Sequence, residues 1–166
     1  MNKSLKLALA LQVVIMISVF IPPLLTKATG TEVYLETERV DPRALVRGDY
    51  VALSYPITNK VPLEIARKAF DEGKMVYVTV SLDRPAKYIS ASLEKPKITE
   101  GQACLSAKAD QAISWDNTVR VTFPQIAQFF VPEGTGKDIE QDLSNMVATA
   151  VTTKSCNAVL LSLDYL

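Results

Sequence analysis

Residues 7–25 read LALALQVVIMISVFIPPLL; fifteen of the nineteen are apolar and none is charged. About 20 apolar residues cross the hydrocarbon core of a bilayer, so this run is just long enough to span it. It divides the chain before any other feature is read. Lys3 and Lys6 precede it with no acidic residue, and Lys27 follows closely. By the positive-inside rule this places the N-terminus in the cytoplasm and the rest of the chain outside it, in a periplasm or lumen. Pro22-Pro23 is expected to end or kink the helix near the outer interface. The reading is an uncleaved signal-anchor over residues 1–27, followed by an extracytoplasmic domain over residues 28–166. A cleaved signal peptide is the rival, because its apolar region runs about 7–15 residues before a small-x-small site. Leu7 to Ile21 has that length, but Thr26-Lys27-Ala28 is a poor site, with a lysine in the middle and prolines upstream. A mature chain starting near Thr29 would decide for cleavage.

Composition narrows what the domain can do. The 18 basic and 18 acidic side chains of the chain cancel, so no overall basic field exists to hold nucleic acid. With Lys3 and Lys6 assigned to the anchor, 16 basic and 18 acidic residues remain beyond residue 25. There is no histidine, which removes Ser-His-Asp and Cys-His catalysis, His-ligated metals and a His pH switch. Two cysteines cannot build a four-cysteine zinc site. No cofactor and no metal site is therefore read. Cys104 and Cys156 both follow the anchor, and an even pair in an oxidising compartment is a candidate disulfide. Two buried free thiols are the other outcome.

Along the domain, 28–31 reads as a short linker. Glu32 to Glu38 starts a strand with Val33 and Leu35 on one face. Asp41-Pro42 and Gly48-Asp49 are turn signals, after which Val51, Leu53, Tyr55 and Ile57 share one face of a half-buried strand. Leu63, Ala66 and Phe70 are spaced for a short helix that Gly73 ends. Met75 to Leu82 is the clearest strand, and Lys87 to Leu93 is its antiparallel return across Asp83-Arg84-Pro85. Ala103 to Ala107 and Val119 to Phe123 are further strands, with Gln125 to Val131 either helical or extended. Asp138 to Met146 reads as a short helix with Ile139, Leu143 and Met146 on one side. Val147 to Thr153 and Ala158 to Asp164 form a hairpin around 154–157. The expected fold is α+β and β-rich, an antiparallel sheet or partial β-barrel with two or three short helices, preceded by one N-terminal transmembrane helix.

Few residues carry recognisable chemistry. Gly134-Thr135-Gly136-Lys137 faintly resembles a phosphate loop, but Val131 stands where the first glycine belongs and Asp138 replaces the Ser/Thr that meets magnesium. Arg47-Gly48-Asp49 is an RGD triplet that turn formation explains. A serine enzyme without histidine needs a desolvated lysine as base, and Lys154-Ser155 sits in a polar turn. Asp41, Asp49, Glu133 and Glu140 are acidic residues near turns, with caps and salt bridges as the plainer account. Tyr50, Tyr55 and Phe129-Phe130 either line a groove or fill the core.

The most specific signal is Gly48-Asp49-Tyr50-Val51-Ala52-Leu53-Ser54-Tyr55. It matches every fixed position of the motif that names the GDYXXLXY protein family, and the preceding Asp41-Pro42-Arg43 and Leu45-x-Arg47 resemble its lead-in. Phe129-Phe130-Val131-Pro132-Glu133-Gly134, then Gly136 and Glu140, resembles the family's downstream block. The resemblance covers residues from about 32 to the C-terminus. One departure is Gln125-Ile126-Ala127-Gln128, where members commonly carry a Gly-Ile-Glu-like stretch. The GDY turn is also distantly similar to a β-strand of signal peptidases, whose serine motif is absent here. The resemblance implies a single-anchor bacterial membrane protein that accompanies polytopic membrane proteins, and it supplies no catalytic residue.

Physically, Gly48 takes a positive φ in the turn and Asp49 bonds neighbouring amides. Arg43, Arg47 and Tyr50 would share an accessible surface, with Arg43 or Arg47 pairing Glu133. The expected binding surface comprises Asp41, Arg43, Arg47, Gly48, Asp49, Tyr50, Tyr55 and Glu133. The leading functional expectation is a membrane-anchored, non-catalytic accessory protein docking on an integral, polytopic membrane protein or complex, with the lipid bilayer as its other partner. The alternatives are an envelope hydrolase using Ser-Lys or carboxylate chemistry, and a small-ligand-binding module.

Overall fold

The computed structural model describes residues 3–39, 50–111, 119–132 and 135–166. Helix α1 runs Lys3–Thr29, about 40 Å at 1.5 Å per residue. It is apolar enough to cross a membrane, and none of its spanning window is buried against the domain. Pro22 and Pro23 lie inside it and do not end it. Each removes one N–H bond to the carbonyl four residues back, and the helix resumes beyond them.

Nine strands follow among the described residues: β1 Thr31–Glu36, β2 Tyr50–Ala52, β3 Met75–Ser81, β4 Tyr88–Ser92, β5 Gln102–Gln111, β6 Val119–Thr122, β7 Gln128–Phe130, β8 Met146–Thr152 and β9 Ala158–Tyr165. Helix α2 is Leu63–Glu72 and α3 is Gly136–Asp142. Among the described residues three antiparallel sheets are formed, ordered β1-β8-β9, β2-β7 and β4-β3-β5-β6, and they include a curled half-barrel. The fold is mixed and strand-rich.

β-branched alternation builds the core. Val33 and Leu35 of β1, Val76, Val78 and Val80 of β3, and Ala103, Leu105 and Ala107 of β5 are buried in one cluster. Central strand β8 is buried on both faces, with Ala148 and Ala150 on one and Val147 and Val151 on the other.

The residue pattern of α2 needs a correction. Leu63 is 51% exposed and Phe70 41%, whereas Ala66 and Ala69 are buried. The helix rests on its sheet through these two small side chains, rotated toward half-buried Ile65. Gly73 closes it at φ 62°, a left-handed value that glycine adopts without Cβ strain.

The junction after α1 also differs from a linker. The helix continues to Thr29, Gly30 turns with its N–H on the Thr26 carbonyl at 2.9 Å, and β1 begins at Thr31. A Cβ on Gly30 would meet the Val151 side chain, with the Thr26 and Thr152 carbonyls at 2.6 and 2.8 Å. The helix thus enters the sheet with one residue between them and no slack.

Candidate functional site: the cleft beside the motif strand

The motif strand folds as its alternation dictates. Val51, Leu53 and Tyr55 point inward and are buried, while Tyr50 stays half-buried on the opposite face. Regular pairing is short: β2 pairs β7 as Tyr50–Phe130, Val51–Phe129 and Ala52–Gln128. Beyond it the Leu53 N–H bonds the Ala127 carbonyl at 2.8 Å, and Ser54 bridges Glu38. The segment then leaves the extended state, because Pro56 offers no ladder N–H and opens the 3-10 turn Pro56–Lys60.

Tyr55 is 2% exposed, its ring 5.7 Å from that of Phe123, and its hydroxyl donates to the Ile126 carbonyl at 2.6 Å. Burial holds its hydroxyl protonated, well above the ordinary tyrosine range. Two of the motif's fixed positions, Leu53 and Tyr55, are therefore internal, and Tyr50 is the described motif side chain left for the surface. Its ring meets Phe130 edge-on at 6.3 Å, and Phe130 is 75% exposed.

A cleft of about 550 Å³ opens beside this pair, between β2, β6 and the start of β7. One wall carries Tyr50, Ala52 and Ser54; the other carries Arg120 and Thr122 of edge strand β6, with Arg39 also lining the cleft. Glu38 is already engaged: Ser54 Oγ donates to it at 2.8 Å and Asn59 Nδ2 at 3.4 Å. Arg39 donates to the Gln141 carbonyl at 3.1 Å. Asp110, across the ladder from Arg120, is paired with Lys108 at 2.8 Å. Among the described residues no ion pair involves Arg39 or Arg120, so the cleft presents two guanidiniums and the Tyr50 ring, with Phe130 beyond its rim.

Of the expected surface residues, Tyr50 lines this cleft and Tyr55 lies beneath it. Asp41, Arg43, Arg47, Gly48, Asp49 and Glu133 lie outside the described residues, as does the expected Arg–Glu133 pair. Arg39 and Arg120 as cleft residues were not singled out from the sequence, whereas Phe130 was among the aromatics expected either to line a groove or to fill the core, and it stands 75% exposed at the rim. Arg120 is one charge in an alternating strand, and the folded path of β6 is what places it opposite Tyr50. Lys154 and Ser155 are exposed in the β8–β9 turn. Cys104 and Cys156 are joined as a disulfide, with Cα atoms 4.8 Å apart.

No curated protein and no solved structure gives a significant match to the chain. A protein-family match does exist, and it begins within α1 and ends within β9. Over residues 12–163 the sequence matches the GDYXXLXY protein, and the chain belongs to that family.

Proposed function

We propose that the protein is a membrane-anchored, non-catalytic accessory protein that docks its strand-rich domain, through the motif face, on an integral membrane protein. The observation that carries this reading is the exposed Tyr50–Phe130 pair beside a cleft lined by Arg39 and Arg120. Aromatic and arginine side chains dominate the energetics of protein interfaces. The cytoplasmic N-terminus and extracytoplasmic domain are supported by Lys3 and Lys6 before α1 and by the Cys104–Cys156 bridge, which persists in oxidising compartments.

The test is affinity purification of the full chain from mild detergent. Phe130→Glu and Arg120→Glu change exposed side chains, so each is expected to lose the co-eluting membrane protein while thermal unfolding stays within a few degrees of wild type. Retention of the partner by both variants overturns the docking face. A second reading, a small-ligand module, draws on the same cleft, whose volume falls in the usual ligand range of about 300–1,000 Å³. A ligand that co-purifies with wild type and is displaced in Arg120→Glu would favour it.

A further inference from the structure

We propose that a second cleft, at the end of the sheets where α1 enters them, is a phospholipid headgroup site filled by the phosphate of a bilayer lipid. It rests on the anchor reading above. The cleft measures about 340 Å³ and is lined by Thr31, Leu82, Ile98, Glu100, Thr153 and Lys154, among others.

Its height follows from the junction. The apolar run ends at Leu25 and α1 ends at Thr29, about 6 Å further along the axis at 1.5 Å per residue. A headgroup layer is roughly 5–8 Å thick on each side of the hydrocarbon core. Thr31 starts β1 directly after Gly30, and Thr152 pairs with Thr31. The first residues of β5 line the same cleft. Three strand ends therefore open at the level of the headgroups, and the one-residue junction leaves the domain no freedom to lift away.

The lining fits a phosphate diester with its flanking groups. Lys154 offers an ammonium and Thr31 a hydroxyl, the donors that an anionic phosphate accepts, while the Thr153 hydroxyl is engaged within its turn with Ser155 Oγ at 2.9 Å and the Asn157 carbonyl at 3.5 Å. Glu100 supplies an opposite charge for a headgroup ammonium or hydroxyl, and no ion pair joins it to Lys154 among the described residues. Leu82 and Ile98 give the apolar border that the glycerol end of a lipid meets.

The site is held in shape before any ligand arrives. The disulfide ties β5 to the β8–β9 turn, Thr152 Oγ1 donates to the Cys104 carbonyl at 2.6 Å, and the Ser106 N–H bonds the Cys156 carbonyl at 2.9 Å. On the far side the Leu82 N–H bonds the Gly101 carbonyl at 3.0 Å.

The experiment is native mass spectrometry of the full chain in mild detergent, titrated with phosphatidylethanolamine and phosphatidylglycerol, with inorganic phosphate as a separate probe. Wild type is expected to retain one phospholipid. Lys154→Glu is expected to weaken retention at least about tenfold, the scale of one charge-assisted hydrogen bond. Lys108→Glu, four residues along β5 beyond Cys104, the last β5 residue lining the cleft, is expected to leave retention unchanged. Equal retention by Lys154→Glu and wild type overturns the site. Binding of inorganic phosphate without lipid also overturns it, in favour of a free-anion site. Alkaline extraction of membranes separates the two readings. A chain released to the supernatant ends the anchor and the headgroup site together; a chain that stays embedded but binds no lipid ends the headgroup site alone.

Discussion

At the scale of single residues, Tyr55 ties the motif strand to the β6–β7 connection through one buried hydrogen bond to Ile126. Tyr55→Phe keeps the ring and orphans that carbonyl, so it is expected to lower stability by about 1–3 kcal/mol, read by thermal or denaturant unfolding in detergent. Its pH dependence has a definite sign. Burial raises the folded pKa of Tyr55 above the ordinary 10.0, so the folded state keeps a proton that the unfolded chain gives up. The contribution is therefore complete below about pH 10 and falls as pH rises above it. Wild type is expected to lose stability above pH 10 more steeply than Tyr55→Phe; parallel curves would contradict this. The inward alternation of Val51, Leu53 and Tyr55 was legible in the sequence, because period-two burial is a local property. The cleft's Arg39 and Arg120 were not, because their meeting depends on strands paired across distant parts of the chain.

At the scale of elements, most strands and α2 follow from local pattern: β3 and β4 around 83–87, the β8–β9 hairpin, and α2 closed by Gly73. The expected helix from Asp138 to Met146 is cut short, because α3 ends at Asp142, the 3-10 turn Leu143–Asn145 follows, and Met146 opens β8. The departures have physical causes. β2 is shorter than its alternation implies because its partner β7 begins only at Gln128, after the 3-10 turn Pro124–Ile126, and Pro56 bars extension beyond Tyr55. α2 turns its alanines inward because small side chains let a helix approach a sheet closely, a choice that spacing alone leaves open. The bridge between Cys104 and Cys156 was only one of two outcomes from sequence, since a pair of cysteines does not show that they meet. It closes a 52-residue separation, for which loop entropy gives about 4 kcal/mol. Replacing both with alanine is expected to lower unfolding stability by that order, and a reducing agent should reproduce the loss in wild type and leave the variant unaffected. Gly30→Ala is expected to be costly as well, because backbone carbonyls rather than a yielding side-chain tip stand in the way. Its measurable sign is faster proteolysis at 26–31 with β3–β5 still protected.

At the scale of the whole molecule, the proposed topology makes Lys154 an extracytoplasmic residue near the bilayer. Lys154→Cys, in a chain whose own two cysteines are bridged, is expected to react with a membrane-impermeant maleimide in right-side-out vesicles without permeabilisation. Labelling only after permeabilisation would reverse the orientation. The charges are divided along the molecule: Lys3 and Lys6 lie at one end of α1, and the slightly acidic remainder lies at the other.

The Gly30 junction carries one more consequence. Membrane helices commonly lean about 20° from the bilayer normal. A chain whose helix flows into a strand through a single residue, with that residue wedged against Val151 and two carbonyls, passes such a lean on to its sheets as the same rotation. In the proposed anchored state, leaning would swing the Tyr50–Phe130 face through an arc, and local bilayer thickness would then act as an aiming device.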